Sequence, residues 1–360
     1  MRNKTGIASG LFRKKKFVSL SAALIAAGFA FTSVPAAAAD ATKTSAKPAA
    51  HSKSKHKAKH RRHGKHARVY FEPPSVGHTM GLQAEADELK LKSSAALVLD
   101  QESNEVLFEK NPHAVLPIAS LTKLMTAMVV LDANQPMDEI LEISAADSDY
   151  EKHVSSRLRP GTKLAREDML LLALMASENR AASSLGRHYP GGLPAFIEAM
   201  NAKALSLGMK DTHYVDPNGL SHENVSSAAD LARLVAAAYD NPTIREFSTQ
   251  SEHTVKVGRR KMQFHTTNAL VRVPHDWQIG LQKTGFTNEA GRCLVMQAAV
   301  QGRNVVMVFL DSYGKLTRFA DANRVRHWIE NTTFTTRQDV VTPTPTPVRE
   351  TTVPPETKKM

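Results

Sequence analysis

The sequence of 360 residues contains a single cysteine, Cys293. No intramolecular disulfide can form, so the fold must be stabilised by its core, for which 42% hydrophobic residues suffice. Cys293 lies in an apolar stretch, which indicates a core residue rather than a nucleophile. Histidines outside the N-terminal region show no spacing typical of metal ligands, so we expect neither a metal nor another cofactor.

Basic charge is also lacking in most of the chain, despite a formal net charge of +12. Residues 1–70 contain 16 Lys and Arg but a single acidic residue, Asp40. The remaining residues include 31 basic and 34 acidic side chains. This distribution excludes a nucleic-acid-binding function for the chain as a whole, and we expect no nucleic-acid partner.

The apolar run over residues 17–31 is too short to span a bilayer. It follows a basic segment, residues 13–16, and precedes three alanines at residues 37–39. This pattern predicts a signal peptide over residues 1–39 and export to the periplasm, and the alternative is an uncleaved N-terminal anchor. At the other end, the Pro- and Thr-rich segment offers no amphipathic helix or apolar span, so we expect no membrane anchor after signal cleavage.

Polar segments flank the predicted domain. Residues 40–88 are predicted to be a disordered tail, rich in Lys and His, that continues as a linker, and residues 335–360 form a second disordered tail. The basic tail is either a solvated spacer, a contact to anionic wall or membrane surface, or a metal-binding stretch through His60, His63 and His66. The folded domain is therefore expected over residues 89–334.

Strand patterns at both ends of this domain enclose a helical middle. This order predicts an α/β (α+β) fold in which a mostly antiparallel sheet, whose N- and C-terminal strands come together, is flanked by helices and carries an inserted helical region. We predict strands at residues 95–100, 105–109, 254–257, 279–283, 293–300 and 304–310, and helices at residues 120–131, 167–175, 180–188, 196–207, 231–239 and 319–329.

Three short elements could carry chemistry, and the first is Ser120-Leu121-Thr122-Lys123. At the start of a predicted helix, Ser120 and Lys123 share one face, and the helix dipole favours an alkoxide there. Desolvation by apolar neighbours would lower the pKa of Lys123, so that its neutral amine could take the serine proton, and a second cation, Lys283, would lower it further. The alternative is an N-cap serine followed by an exposed lysine.

The second element is Ser177-Glu178-Asn179, between two helical runs. Ser177 could relay a proton to a leaving amine, and Asn179 could hold Lys123 and a substrate amide. The alternative is a pair of helix-capping side chains.

The third element is Lys283-Thr284-Gly285, which we place at the end of a strand. There Lys283 and Thr284 could hold a substrate carboxylate, and Gly285 would admit an extended peptide to the strand edge. The backbone N–H groups of Ser120 and Phe286 could then form an oxyanion hole. The alternative is a sheet-edge lysine before a turn glycine.

In this order the three elements match the pattern of β-lactamases and penicillin-binding proteins, with Glu178 in place of the usual aspartate. The chain resembles the low-molecular-mass D-alanyl-D-alanine peptidases of the S11 type, and within them the endopeptidases, over roughly residues 90–332. The resemblance rests on residues 117–128, 170–184 and 283–295.

The resemblance implies a β-lactamase-like fold without a metal. It also implies that Ser120 is the acylated nucleophile, Lys123 the general base and Lys283 the electrostatic group that holds the substrate carboxylate. Ser177 and Asn179 would serve as proton relay and positioning groups.

The function implied is a penicillin-sensitive periplasmic D,D-endopeptidase, with peptidoglycan stem peptides as substrates and β-lactams as covalent inhibitors. A D,D-carboxypeptidase would use the same residues. A β-lactamase would need a glutamate that holds a deacylating water, and neither Glu151 nor Glu167 has a context that argues for this role. A non-catalytic wall-binding protein that uses the basic tail is the alternative from another class.

Overall fold

A computed structural model describes residues 73–148, 156–273 and 277–332. The predicted signal peptide, the basic tail and the Pro- and Thr-rich tail lie outside the described residues. Within the described ranges, no helix has both the length and the apolar character that a membrane span requires. The same part of the chain contains no group of three His, Cys, Asp or Glu side chains that could hold a metal ion.

The elements alternate between long strands at the two ends of the domain and helices between them. The strands are β1 (Ser93–Asp100), β2 (Val106–Lys110), β3 (Leu116–Pro117), β4 (Ile140–Glu142), β5 (Lys163–Ala165), β6 (Val225–Ser226), β7 (Glu252–Val257), β8 (Arg260–His265), β9 (Gln278–Thr287), β10 (Gly291–Val300) and β11 (Arg303–Ser312). The α-helices are α1 (Val76–Thr79), α2 (Thr122–Asp132), α3 (Arg166–Met175), α4 (Asn179–Arg187), α5 (Gly192–Ser206), α6 (Ala228–Tyr239), α7 (Pro242–Thr249), α8 (Ala269–Arg272) and α9 (Thr317–Asn331). Short 3-10 helices occupy Leu82–Ala84, Ala119–Leu121 and Ala145–Asp147.

The main sheet has five strands in the order β2-β1-β11-β10-β9. Each neighbouring pair is antiparallel, and β1 lies beside β11 with Val98 opposite Met307. The prediction that the N- and C-terminal strands come together in an antiparallel sheet is therefore confirmed. Because β9 ends the sheet, its outer edge offers backbone groups to an incoming peptide.

Both faces of this sheet are covered. Successive side chains of a strand point to opposite faces, so one strand contributes to two cores. In β11, Val308 and Leu310 pack into the core shared with the inserted helices, whereas Met307 and Phe309 pack into a second core with α9. A strand buried on both faces forms a continuous hydrophobic run, which made β10 and β11 readily predictable.

Helix α2 runs through the centre of the helical region. Every residue from 122 to 130 is buried, as expected for a helix surrounded by other elements. Its first turn meets β9 through the 3-10 helix that carries Ser120, so the catalytic candidates lie where the helical region joins the sheet edge.

Three sequence-based boundaries were wrong. Ser120 lies in a 3-10 turn, and the α-helix begins only at Thr122. The strand with Lys283 continues to Thr287 because it pairs with β10 along that whole length, so Lys-Thr-Gly lies inside an edge strand rather than at its end. Two short helices, Val76–Thr79 and Leu82–Ala84, lie in the stretch assigned to a linker, and Val76 N donates to Glu289 O at 2.9 Å.

Candidate active site

Ser120 is held on a tight turn between β3 and α2. The preceding residue, Ala119, has φ of 47°, a left-handed conformation that is uncommon outside glycine and often marks a functional constraint. Gly219 packs directly against this turn, and a Cβ at that position would collide with the carbonyl of Ala119. The backbone at Gly219 therefore packs against the turn and fixes the position of Ser120.

Lys123 lies one helical turn beyond Ser120, and its side chain is fully buried. Its Nζ lies 2.8 Å from Ser120 Oγ, 2.8 Å from Asn179 Oδ1 and 2.5 Å from Asn218 O. Burial lowers the pKa of Lys123 to about 7, although the negative charges of Asp216 and Glu178 oppose this effect.

These three partners can serve either protonation state of the amine. Two of them, Asn179 Oδ1 and the Asn218 carbonyl, can only accept hydrogen bonds, so they take the two N–H bonds of an unprotonated lysine. The third, the Ser120 hydroxyl, accepts an N–H bond of a charged amine, and it can instead donate to the lone pair of a neutral one. The geometry therefore supplies a base that points at the hydroxyl it would deprotonate.

Lys283 is the second buried amine of the site. Its Nζ donates to Ser177 Oγ and to the carbonyl of Thr284, both at 2.9 Å. Burial, followed by the charges of Lys123 and Arg318, lowers the pKa of Lys283 well below its usual value. The two amines are therefore coupled, and the charge of either one disfavours protonation of the other.

A cleft of about 500 Å³ opens in front of these groups. It brings together the predicted site residues Ser120, Ser177, Asn179, Thr284, Gly285 and Phe286. Only the two lysines do not line it, because they lie buried behind the serines they contact. A Cβ on Gly285 would lie 3.3 Å from Ser120 N and 2.9 Å from the carbonyl of Ile118, so β9 can approach the Ser120 turn this closely only with glycine there.

The turn that supplies the Asn218 carbonyl was not among the predicted site residues. Asp216 Oδ1 accepts the N–H groups of Asn218 at 2.8 Å and Gly219 at 2.5 Å, and its Oδ2 accepts that of Ser221 at 2.7 Å. The Asp-Pro-Asn-Gly signature at residues 216–219 predicts such a turn, but nothing local indicates that it contacts Lys123.

Two further residues of the cleft were missed. Thr267 Oγ1 lies 2.5 Å from Thr284 Oγ1 and fixes that hydroxyl on β9. Arg318, near the start of α9, lines the same cleft, and its buried Nε has no hydrogen-bond partner within the described residues. A guanidinium in this position suits a substrate carboxylate.

The antiparallel sheet, the helical region on one of its faces and the paired serines and lysines at their junction define a serine peptidase with the penicillin-binding-protein fold. The chain belongs to the S11 peptidase family, described as D-alanyl-D-alanine carboxypeptidase, whose model matches residues 82–314. The resemblance inferred from the three sequence elements is thereby confirmed.

The relatives favour the endopeptidase branch of the family. The chain is 51% identical over 260 residues to the D-alanyl-D-alanine endopeptidase of Pseudomonas aeruginosa, covering 72% of this chain and 81% of that protein. It is 48% identical over 264 residues to the endopeptidase of Escherichia coli, covering 73% and 84%. These matches confirm the finer resemblance to the endopeptidase called penicillin-binding protein seven.

Solved structures support the fold. The Streptomyces K15 DD-transpeptidase aligns with a TM-score of 0.62 at 27% identity, covering 66% of this chain and 97% of that one. A penicillin-binding protein homologue from Mycobacterium tuberculosis aligns with a TM-score of 0.61 at 26% identity, covering 67% and 92%. The predicted fold class is therefore confirmed.

Proposed function

We propose that this protein is an exported serine D,D-endopeptidase, which hydrolyses D-alanyl cross-links in peptidoglycan through an acyl-enzyme on Ser120 and is acylated there by β-lactams. The observation that carries the proposal is the position of Lys123 Nζ, which lies 2.8 Å from Ser120 Oγ while two oxygens that can only accept, Asn179 Oδ1 and the Asn218 carbonyl, hold its other N–H bonds. A buried amine with a pKa of about 7 is matched to proton transfer near neutral pH.

In the first step, Lys123 takes the proton of Ser120 while Oγ attacks the carbonyl carbon of the D-alanyl residue. The charge that develops on the carbonyl oxygen would be stabilised by the backbone N–H groups of Ser120 and Phe286. The close approach of Gly285 to the Ser120 turn supports this assignment, since it brings the two peptide units to the same part of the cleft.

Collapse of the tetrahedral intermediate breaks the C–N bond and requires a proton on the leaving nitrogen. Ser177 lines the cleft and is bonded to Lys283, so its hydroxyl is placed to deliver that proton and recover one from the buried amines. One proton leaves Ser120 and one reaches the amine, so the step is balanced. Water then attacks the ester, which frees Ser120 and releases the acyl group as a carboxylic acid.

Thr284 and Arg318 would hold a carboxylate on the carbon next to the leaving nitrogen. The sequence assigned this role to Lys283 and Thr284, but Lys283 is buried against Ser177, whereas Arg318 lines the cleft. We propose that Lys283 supports the carboxylate electrostatically and that Arg318 and Thr284 contact it. Asn179, with its Oδ1 on Lys123, would orient that base and meet a substrate amide with its Nδ2.

A D,D-carboxypeptidase is the second candidate, because free D-alanine also carries a carboxylate that Arg318 could bind. The sequence is 51% and 48% identical to those of two endopeptidases, which favours cleavage of cross-links. Export to the periplasm through residues 1–39 places the enzyme with its substrate. Attraction of the basic residues 40–68 to anionic wall or membrane surface would keep it there.

Intact-mass measurement after incubation with benzylpenicillin, followed by chromatography of cross-linked muropeptide dimers, tests the proposal. The wild type should form a stable penicilloyl adduct and convert dimers to monomers, whereas Ser120→Ala should do neither. Ser206→Ala, a change at an exposed helix end, is the matched control and should behave as wild type.

Each alternative has its own outcome in this experiment. Loss of terminal D-alanine without cleavage of dimers would identify a carboxypeptidase, and rapid turnover of penicillin a β-lactamase. Neither adduct nor cleavage would leave a non-catalytic wall-binding protein, and labelling of Ser120→Ala would place the nucleophile elsewhere.

A further inference from the structure

A second cavity, here called the stem groove, adjoins the catalytic cleft and takes no part in the chemistry described so far. Its volume is about 850 Å³, and it shares Phe286 and Asn288 with the cleft. Its other walls come from residues 73–83, from the start of β10 and from the segment that follows β11. The two cavities therefore form one continuous surface that extends beyond the reacting bond.

The stem groove lies on the acyl side of that bond. Ser177, which would protonate the leaving amine, is bonded to Lys283, three residues before Phe286 on β9. A peptide that pairs with the open edge of β9 therefore directs its leaving half toward Lys283 and Thr284. Its acyl half continues past Phe286 to Asn288, where the groove opens.

Cationic side chains border the groove. The Arg292 guanidinium stacks on the Phe286 ring with 4.4 Å between its Cζ and the ring centroid, and the exposed Lys315 follows on the segment after β11. Arg292 is also close enough to Arg318 to lower the pKa of that guanidinium. Cleft and groove thus share a positive strip along one wall.

Two acidic residues lie near this strip. Asp311, at the floor of the groove, is buried and bonded to Ser94 Oγ at 2.7 Å, and burial raises the pKa of its carboxyl. Glu289 lines the catalytic cleft and lies three residues before Arg292, in the turn that leads into β10. Exposed aromatic surface completes the site, since Phe286 and Tyr313 are 45% and 70% exposed.

We propose that the stem groove binds the acyl-donor stem peptide of peptidoglycan and recognises its free carboxylates through Arg292 and Lys315. This inference rests on the proposed function, because a terminal D-alanyl bond needs only the cleft whereas a cross-linked stem continues beyond it. The Lys- and His-rich residues 40–68 of the same chain are positively charged, as is the border of the groove. Repulsion between like charges makes this segment a poor occupant of the groove.

The test compares two cross-linked muropeptide dimers that differ only in the α-carboxylate of the donor stem's D-glutamate, which is free in one and amidated in the other. The wild type should have a kcat/KM about fivefold higher on the free acid, the scale of one partly exposed ion pair. In Lys315→Glu this ratio should fall to about one or below. Lys210→Glu makes the same charge change at an exposed site that lines neither cavity, and it should keep the wild-type ratio.

Salt provides a second readout, because the preference for the free acid should shrink as ionic strength rises. Equal kcat/KM values on both dimers for the wild type, or an unchanged ratio in Lys315→Glu, would overturn the groove assignment while leaving the D,D-endopeptidase intact. Failure to cleave either dimer, without a penicilloyl adduct, would overturn the proposed function and the groove with it.

Discussion

Replacing Lys123 with Met tests the unprotonated state of the base through stability, independently of catalysis. Methionine keeps the volume and the apolar stem of the side chain but removes the amine. In the wild type the folded-state pKa of Lys123 is about 7, below its ordinary value of 10.5. Between these values the unfolded chain binds a proton that the folded chain does not, so the stability of the wild type rises with pH across this window.

The magnitude follows from that difference. Integration of the proton linkage from pH 7 to pH 9 gives about 2.3 kcal/mol of added stability for the wild type, which Lys123→Met cannot gain. The variant also leaves Asn179 Oδ1 and the Asn218 carbonyl without a donor, but this contribution does not depend on pH. The slope of the difference with pH is therefore diagnostic, whereas its absolute value is not.

Urea unfolding of both proteins at pH 7, 8 and 9, followed by circular dichroism, measures this slope. The buried Cys293 and Tyr214 are common to both proteins and cancel in the comparison. Lys283 does not, because the charge of Lys123 contributes to its pKa, so the same comparison is made in a Lys283→Met background. Lys210→Met removes an exposed lysine and should give a difference that is flat with pH. An equally flat difference for Lys123→Met would show that the folded protein holds a protonated lysine, and the general-base assignment would then fail.

Acylation by benzylpenicillin should accelerate about tenfold from pH 6 to pH 8 as Lys123 loses its proton, and stopped-flow or mass measurements of the rate across this range would check it. Glu178→Gln removes a charge that raises the pKa of Lys123, so the midpoint of that profile should move to lower pH; an unmoved midpoint would remove Glu178 from the electrostatics of the base. Gly219→Ala should slow acylation more than tenfold because its Cβ would displace the carbonyl of Ala119, whereas Gly208→Ala, also at positive φ but in open space, should cost about 1 kcal/mol of stability and leave the rate unchanged.

The parts of the fold that the sequence predicted are those determined by local pattern. Continuous apolar runs placed β1, β10 and β11. Helix α7 was overlooked although Asn241 caps it and Pro242 occupies its first position, a recognised start signal. The reason is its length of eight residues, too short for a clear hydrophobic period.

The candidate site was predictable in its members but not in its contacts. The three motifs supplied the serines, the lysines and the amide, yet the position of Lys283 behind Ser177 depends on β9 continuing as an edge strand through polar residues. Arg318 lies 195 positions after Lys123 in the chain and becomes part of the cleft only because α9 packs back onto the sheet. Such tertiary contacts leave no mark on local sequence.

The cationic residues of the site divide into one that would bind the substrate carboxylate, Arg318, and two that would take part in proton transfer, Lys123 and Lys283. Both amines that touch the serines are buried, and burial lowers the pKa of Lys123 to about 7 and that of Lys283 well below its usual value. Arg318 is also partly buried, which lowers its pKa, but a guanidinium remains charged throughout this range. A substrate carboxylate would therefore meet a permanent charge at Arg318, while proton transfer depends on lysines whose charge is removable. Were Lys123 and Lys283 both protonated, they would bind the same anion but could not take the proton of Ser120, so the burial that destabilises their charged forms is what makes the site a base.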